Sequence, residues 1–281
     1  MDVGLPIVGV RVAEGRCGTT LLMQLLATSP AIVFDERYPA EYRFASYFAR
    51  MSEMMTEPFD EGRHPGVTSF FFDEPAQWGP IPFRSDIIDV HSLAPDLLRS
   101  LWRGWSERVS VERPQARYYA EKLAVPVDAF VRAGLDCRVI DVVRDPRDML
   151  ASIRAFTAHG IDGFGRRAGQ TEDEYTEEFI LRVGASFEHM AAEPTGRDRT
   201  LVRYEDMAAD LPAVARSLGG WLGVELDADV VLSRRADYQH HITTTSPEAS
   251  IGRWRNDLPP SEADRVTREL QQVLTAFGYE P

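Results

Sequence analysis

The sequence has very little cysteine and no long apolar run. Only Cys17 and Cys137 occur in 281 residues, which is too few for a disulfide framework, and their spacing does not suggest a metal site. No apolar segment approaches the length needed to cross a membrane, and no basic region precedes an apolar core at the N-terminus. We therefore expect a cytoplasmic protein without a membrane span or targeting segment.

Excess positive charge is also absent. The formal net charge is −13 at pH 7, whereas binding to nucleic acid or to an anionic membrane surface requires a basic face. Neither partner is expected, and any anion-binding residue must be a local exception. Every basic residue except Lys122 is an arginine. A GC-rich genome favours arginine codons and would explain that bias. Lys122 is then present either by chance or because the chemistry of the site requires a lysine.

Strand-like and helix-like patterns alternate along the chain. Apolar, β-branched runs followed by helical spacings predict an α/β fold, with a central parallel sheet flanked by helices, in one domain spanning residues 1–281. The last helical pattern is interpreted as one helix over 261–277. The segment 56–84, in which glycine, proline and aromatic residues dominate, is too long for a simple connector. This segment and the glycine-rich segment 159–171 are interpreted as substrate-side loops.

The first predicted strand leads through a short polar turn into a helical pattern that begins at Thr19. The first N–H groups of a helix lack intrahelical partners, and the helix dipole favours negative charge there. Arg16 adds a cation, and Thr19 and Thr20 add hydroxyl groups. This loop, residues 14–20, predicts a phosphate or sulfate site, although a purely structural helix start is the alternative. It lacks the Gly-Lys-Ser/Thr step of the Walker A motif.

A second polar cluster follows the strand pattern of residues 138–143. Arg144 stands at the strand end in the segment Arg-Asp-Pro-Arg-Asp, and Ser152 lies on the helix that follows. A cation and a hydroxyl in these places predict a second anion site, with a structural Arg–Asp pair as the alternative. Tyr204 begins a Tyr-Glu-Asp segment at another strand end and is either a ligand contact or a core residue.

Together these segments resemble the sulfotransferase family that uses 3′-phosphoadenosine 5′-phosphosulfate (PAPS). Four segments match family motifs in family order: the 5′-phosphosulfate loop at 16–20, the 3′-phosphate motif at 144–152, the Tyr-Glu-Asp strand end at 204–206, and the Ser-x-Gly-Arg-Trp-Arg segment at 250–255. The resemblance implies a bacterial member with P-loop-like architecture. It would transfer a sulfuryl group from PAPS to a hydroxyl of a small-molecule, glycoside or lipid acceptor, leaving 3′,5′-adenosine bisphosphate (PAP), with no metal.

The resemblance also implies roles for individual residues. Arg16 would hold the bridging and leaving oxygens, and Lys122 would stabilise the transferring sulfuryl group. The residues implied at the nucleotide are Arg16, Cys17, Gly18, Thr19, Thr20, Arg144, Ser152, Tyr204, Ser250, Gly252 and Arg253.

The base that accepts the acceptor's proton is less defined. Family members that act on phenols and steroids have a histidine two residues after the lysine, and here Ala124 occupies that position. Members that act on carbohydrates or protein tyrosines use a glutamate shortly after the first helix, and Glu36 is similar to it. The chain therefore resembles the glutamate-base type. Asp35 and His91 are rivals, and an ion pair of Glu36 with Arg37 is the alternative.

Two other functions stay open from the sequence. One is a P-loop-like small-molecule kinase that uses ATP, and the other is a PAP-binding protein that has lost catalysis. Glu14 is a further departure, since many family members have proline before the basic residue of this loop. We expect its carboxylate to point away from the ligand or to pair with Arg11.

Overall fold

A five-stranded parallel sheet forms the centre of the molecule. The computed structural model describes residues 3–34, 42–53, 89–158, 166–167, 169–234, 243–244 and 246–280. The strands are β1 (Ile7–Val12), β2 (Ile32–Val33), β3 (Tyr118–Lys122), β4 (Cys137–Val143) and β5 (Arg199–Arg203), in the order β2-β3-β1-β4-β5. All neighbouring pairs are parallel. The α/β class predicted from the alternating patterns is confirmed.

Helices connect and cover these strands. In chain order they are α1 (Thr19–Leu26), α2 (Phe44–Glu53), α3 (Val90–Glu112), α4 (Asp128–Arg132), α5 (Pro146–Thr157), α6 (Glu172–Ala192), α7 (Tyr204–Ala209), α8 (Leu211–Leu222), α9 (Ala228–Ser233), α10 (Trp254–Asp257), α11 (Pro260–Glu269) and α12 (Gln271–Ala276), with a 3-10 turn at Glu248–Ser250. No helix in these described ranges is long and apolar enough to cross a membrane.

The core consists of two clusters on opposite faces of the sheet. Successive side chains of a strand point to opposite faces, so Tyr118 belongs to one cluster and Tyr119 to the other. The larger cluster packs α1, α5 and α6 against the sheet. In the smaller one, the Tyr119 ring lies 5.2 Å from the ring of Trp102 on α3. Strands covered on both faces explain why β1 and β4 read as almost continuous apolar runs.

The predicted extent of the last helix is wrong. The pattern over 261–277 predicted one helix, but the structure has α11 and α12, separated at Leu270. Leu270 has φ −104° and ψ 19°, outside the helical region, and its side chain is buried in the core. The change of direction lets both short helices bury apolar side chains. The predicted loop 56–84 and most of 159–171 lie outside the described residues.

Candidate functional site

The carboxyl ends of the central strands open into one cavity of about 800 Å³. Its wall contains Val12 at the end of β1, Lys122 at the end of β3 and Arg144 directly after β4. In open α/β sheets, ligands bind at the carboxyl edge where the strand order reverses, which here is the crevice between β1 and β4. The two polar clusters predicted from the sequence are therefore parts of one site.

The loop between β1 and α1 has an unusual backbone. Arg16 has φ 69°, a left-handed conformation that is strained for a residue with a side chain, and Gly18 has φ 87°. A Cβ on Gly18 would lie 2.4 Å from Cδ2 of Tyr204, so only glycine allows this close packing. Gly18 caps α1 without a side-chain hydrogen bond, and the first turn of α1 has no acidic residue. The helix start is thus left available to an external anion.

The Arg16 guanidinium is held against α5. Its Nε donates to Oγ of Ser152 at 3.1 Å, and its Cζ lies 4.5 Å from the centre of the Phe156 ring. Burial, followed by the positive charges of Arg144 and Arg253, lowers the pKa of Arg16 to about 10. Cations gathered in a poorly solvated place are stabilised by an anionic ligand.

Arg144 joins two distant segments of the chain. Its Nη1 donates to the main-chain oxygen of Arg16 at 2.9 Å, and its Nη2 donates to that of Ser250 at 2.8 Å. The guanidinium carbon lies 4.3 Å from the centre of the Tyr204 ring. Tyr204 and Ser250 share a hydrogen bond of 2.7 Å between their hydroxyl oxygens. The buried Nε of Arg144 has no hydrogen-bond partner among the described residues.

Asp148 organises the segment around Arg253. Its two oxygens accept from the main-chain N–H groups of Gly252 and Trp254, at 2.7 Å and 3.0 Å, on either side of Arg253. The Arg253 guanidinium then reaches Oγ1 of Thr243 at 2.7 Å. Thr243 lines the cavity, whereas Gly252 and Arg253 are not among the described lining residues. Arg253 therefore meets the site through Thr243 in this structure.

Thr19, Thr20 and Cys17 differ in where they point. Both threonines line the cavity, but the Cys17 side chain belongs to the core. Its Sγ donates to the main-chain oxygen of Glu14 and lies 3.6 Å from Sδ of Met149. Burial raises the pKa of the Cys17 thiol to about 12. Cys17 can therefore offer a ligand only its main chain.

Lys122 and Glu121 are neighbours with different surroundings. Lys122 ends β3 beside Val10 of β1 and lies in the cavity wall, with only 8% of its surface exposed. Glu121 points to the other face, where its oxygens accept from the main-chain N–H groups of Ala45 and Ser46, both at 2.9 Å. Burial raises the pKa of Glu121. Its oxygens are engaged in holding α2, so Glu121 is a structural carboxylate rather than a base.

Of the three base candidates from the sequence, only His91 lies within the described residues. Glu36 and Asp35 lie outside the described residues. His91 is exposed near the start of α3, with its main-chain N–H bonded to Asp89, and is not among the described lining residues. The carboxylates in the described wall are those of Asp210 and Glu248. Asp210 accepts from the N–H of Ala213 and caps α8.

The sequence did not single out Arg43, Gln24 or Thr243, although all three line the cavity. Arg43 lies just before α2, and no motif marks it. Thr243 lies 3.4 Å from Ser152, oxygen to oxygen, as well as contacting Arg253. These three residues belong to no recognisable motif, so the sequence alone did not predict their place in the cavity.

Of the two alternatives expected for Glu14, the pairing with Arg11 is wrong, and Glu14 is not among the described residues that line the cavity. Its Oε2 accepts from Nε of Arg182 on α6 at 3.0 Å rather than from Arg11. Arg11 instead pairs with the buried carboxylate of Asp141 on β4, with 2.6 Å between Nε and Oδ1. Asp141 lies beside Arg11 in the register of β1 and β4, so it is the nearer partner.

Comparison with known proteins identifies relatives of one kind. A model described as the sulfotransferase family matches residues 10–228. Carbohydrate sulfotransferase 3 of Mus musculus is 27% identical over 161 residues, which cover 52% of this chain and 34% of that protein. The match thus spans about a third of this relative's length.

Solved structures share the fold. The sulfotransferase domain of the Synechococcus PCC 7002 olefin synthase has a TM-score of 0.54 and 16% identity, with 100% of this chain and 98% of that chain covered. Retinol dehydratase in complex with retinol and PAP has a TM-score of 0.50 and 16% identity, with coverages of 98% and 82%. At these identities the likeness shows a common fold.

Proposed function

This chain belongs to the sulfotransferase family, and we propose that it transfers a sulfuryl group from PAPS to a hydroxyl of a small-molecule, glycoside or lipid acceptor. The observation that carries the proposal is the meeting of Arg16 and Arg144 in one cavity, joined by a hydrogen bond of 2.9 Å. PAPS carries a 5′-phosphosulfate and a 3′-phosphate, and therefore needs two separate cationic contacts on one nucleotide.

The residues of the cavity fit such a nucleotide. The uncapped start of α1, with Thr19 and Thr20, suits a 5′-phosphate. Arg144 and Ser152 line the same wall of the cavity, where a guanidinium and a hydroxyl suit a 3′-phosphate. The PAP held by the retinol dehydratase of similar fold supports this assignment. Tyr204 offers its ring and hydroxyl near the base.

Catalysis would depend mainly on position and charge, by analogy with loose in-line phosphoryl transfer. PAPS would supply the activated sulfuryl group. Arg16 neutralises charge that develops on the oxygen of the departing bisphosphate, and its contact with Ser152 fixes its orientation. Lys122, at the end of β3, provides a second cation in the same cavity for the oxygens of the group in transfer.

Glu36 is proposed as the base that accepts the acceptor's proton. It follows β2, and the buried Glu121 is already committed to the start of α2. Glu36→Gln should lower turnover about 100-fold, in the range typical for loss of a general base, with PAP binding unchanged. Asp35→Asn is the matched control. Near-normal turnover of Glu36→Gln would move the role to Asp35 or His91.

The test compares ligands by thermal shift and then measures transfer. PAP should raise the melting temperature more than ATP with Mg²⁺, and PAPS should be converted to PAP in the presence of a panel of hydroxyl acceptors. Stabilisation by ATP with Mg²⁺ alone would favour the kinase. PAP binding without PAPS turnover would indicate a nucleotide-binding protein without catalysis.

Three expectations stay predictions. The cytoplasmic location and the absence of a nucleic-acid partner rest on composition and charge. The absence of a metal requirement rests on the family resemblance, and addition of a chelator to the transfer assay checks it directly.

A further inference from the structure

Glu14 is an acidic residue two positions before the arginine of an anion-binding loop. Both of its oxygens are engaged: Oε1 accepts from the N–H of Gly15, and Oε2 accepts from Arg182, each at 3.0 Å. Arg182 lies on α6 and is not among the described residues that line the cavity. The pair therefore acts from outside the site on the loop that forms it.

We propose that Glu14 and Arg182 form a positioning pair, in which Glu14 holds the loop in its anion-binding conformation and Arg182 cancels the negative charge of Glu14. The inference deepens the proposed function, because it concerns the loop assigned to the 5′-phosphosulfate. Neither residue is required to touch the nucleotide.

The first part of the proposal rests on backbone geometry. Arg16 adopts φ 69°, which a non-glycine residue keeps only when its surroundings enforce it. Glu14 constrains the residues on both sides of Arg16: its carboxylate binds the N–H of Gly15, and its main-chain oxygen accepts from Sγ of Cys17 at 3.2 Å. The Glu14 side chain thus makes the backbone before Arg16 rigid.

The second part rests on charge. The Glu14 side chain is 17% exposed, so water screens its charge only in part. Uncompensated, it would repel the anion that Arg16 attracts. Arg182 places both Nε and Nη2 at 3.0 Å from one oxygen of Glu14. The nearby ring of Tyr175 lies 5.8 Å from the Arg182 guanidinium and holds it on this side of α6.

A comparison of single and double variants separates charge compensation from simple packing. Arg182→Ala should weaken PAP binding about tenfold at 50 mM salt and clearly less at 500 mM, because salt screens an uncompensated surface charge. Arg182→Ala combined with Glu14→Gln should recover binding to within about threefold of the wild type. Glu14→Ala should weaken binding by an amount that does not depend on salt, because it removes the loop's anchor and no charge is left to repel.

The matched control is Arg265→Ala, which removes an arginine that pairs with Asp173, also on α6. It changes the net charge equally and should leave PAP affinity unchanged. A double variant as weak as Arg182→Ala, or an Arg182→Ala variant equal to wild type, would overturn the proposal. Isothermal titration calorimetry provides all of these affinities.

Pyrophosphate serves as a second probe, because it reports on the loop without the nucleoside. If wild type binds pyrophosphate but not PAP, the proposed function fails while the pyrophosphate series still tests the pair. If PAP binds as expected and the double variant shows no recovery, only the positioning pair fails. Binding of neither probe to the wild type would overturn both.

Discussion

Two junctions between a strand and a helix border the same cavity, and they treat the helix start in opposite ways. At the first, between β1 and α1, the cap is Gly18, and no side-chain cap bonds the first N–H groups within the described part of the chain. At the second, between β4 and α5, the Asp145 side chain accepts from the N–H of Arg147, and Pro146 occupies the first turn. One helix start is open, and the other is closed by its own residues.

The difference indicates how each junction meets an anion. The open start of α1 offers main-chain N–H groups, with Arg16 beside them. The closed start of α5 leaves only side chains, namely Arg144 and Ser152. Both were predicted as anion sites from similar sequence signals, but their physical basis differs.

The two arginines of the second junction also have different tasks. Arg147 is 2% exposed and is fully engaged by Asp145 at 2.8 Å, by the main-chain oxygen of Glu280, and by the Trp254 ring at 4.2 Å. Arg144 lines the cavity, whereas Arg147 is not among the described lining residues. Arg147 is therefore structural, whereas Arg144 is the residue that we propose for the 3′-phosphate.

The largest expected effect tests the open junction. Arg16→Ala should lower turnover by about 10²- to 10³-fold, the range for loss of one group that stabilises developing charge, while the protein stays folded. Arg16→Gly should lose turnover equally, yet be more stable than the alanine variant by about 1 kcal/mol, since glycine adopts φ 69° without strain. Steady-state kinetics and urea unfolding provide both values. An alanine variant more stable than the glycine variant would contradict the strain assigned to this loop.

The next effect tests the closed junction. Asp145→Ala should lower the free energy of unfolding by about 3 kcal/mol, because it removes a cap and leaves the buried Arg147 without its carboxylate. The matched change at the open junction, Thr19→Ala, should cost less than about 0.5 kcal/mol, because α1 has no side-chain cap to lose. If urea unfolding shows the same loss of unfolding free energy in both variants, the distinction between the junctions is contradicted.

A smaller effect concerns the segment behind the closed junction. Asp148→Asn places an amide group where an oxygen now accepts from Gly252 or Trp254, so the direction of Arg253 should become less defined. We expect PAP affinity to fall about tenfold, the worth of one lost hydrogen bond to a charged group, with 5′-AMP affinity unchanged. Asp264→Asn on the exposed side of α11 is the control. Equal weakening of both nucleotides would show a general loss of structure instead.

Much of this arrangement was predictable from the sequence because the signals are local. The apolar run of β4 and the polar cluster after it identify a buried parallel strand and its carboxyl end. Arg16 and Arg144 could therefore be expected at one edge of the sheet. The direction of the Cys17 side chain was not predictable, since it depends on how the loop turns over α1 and α5.

Contacts between distant residues gave no sequence signal. Glu14 and Arg182 are 168 positions apart, and a charge among many others does not indicate its partner. The separation of α11 from α12 has a similar cause. The apolar pattern continues through Leu270, and packing of that side chain decides where the helix ends. The proposed base, Glu36, stays a prediction from the family resemblance.

The most direct test of the two-anion site is a calorimetric comparison of PAP with 5′-AMP, which lacks the 3′-phosphate, in wild type and in Arg144→Ala. If the open junction binds the 5′-phosphate and the closed junction binds the 3′-phosphate, wild type prefers PAP to 5′-AMP. Arg144→Ala then loses most of that preference while keeping its affinity for 5′-AMP within about threefold. An unchanged preference for PAP in Arg144→Ala would contradict the assignment of the 3′-phosphate to the closed junction.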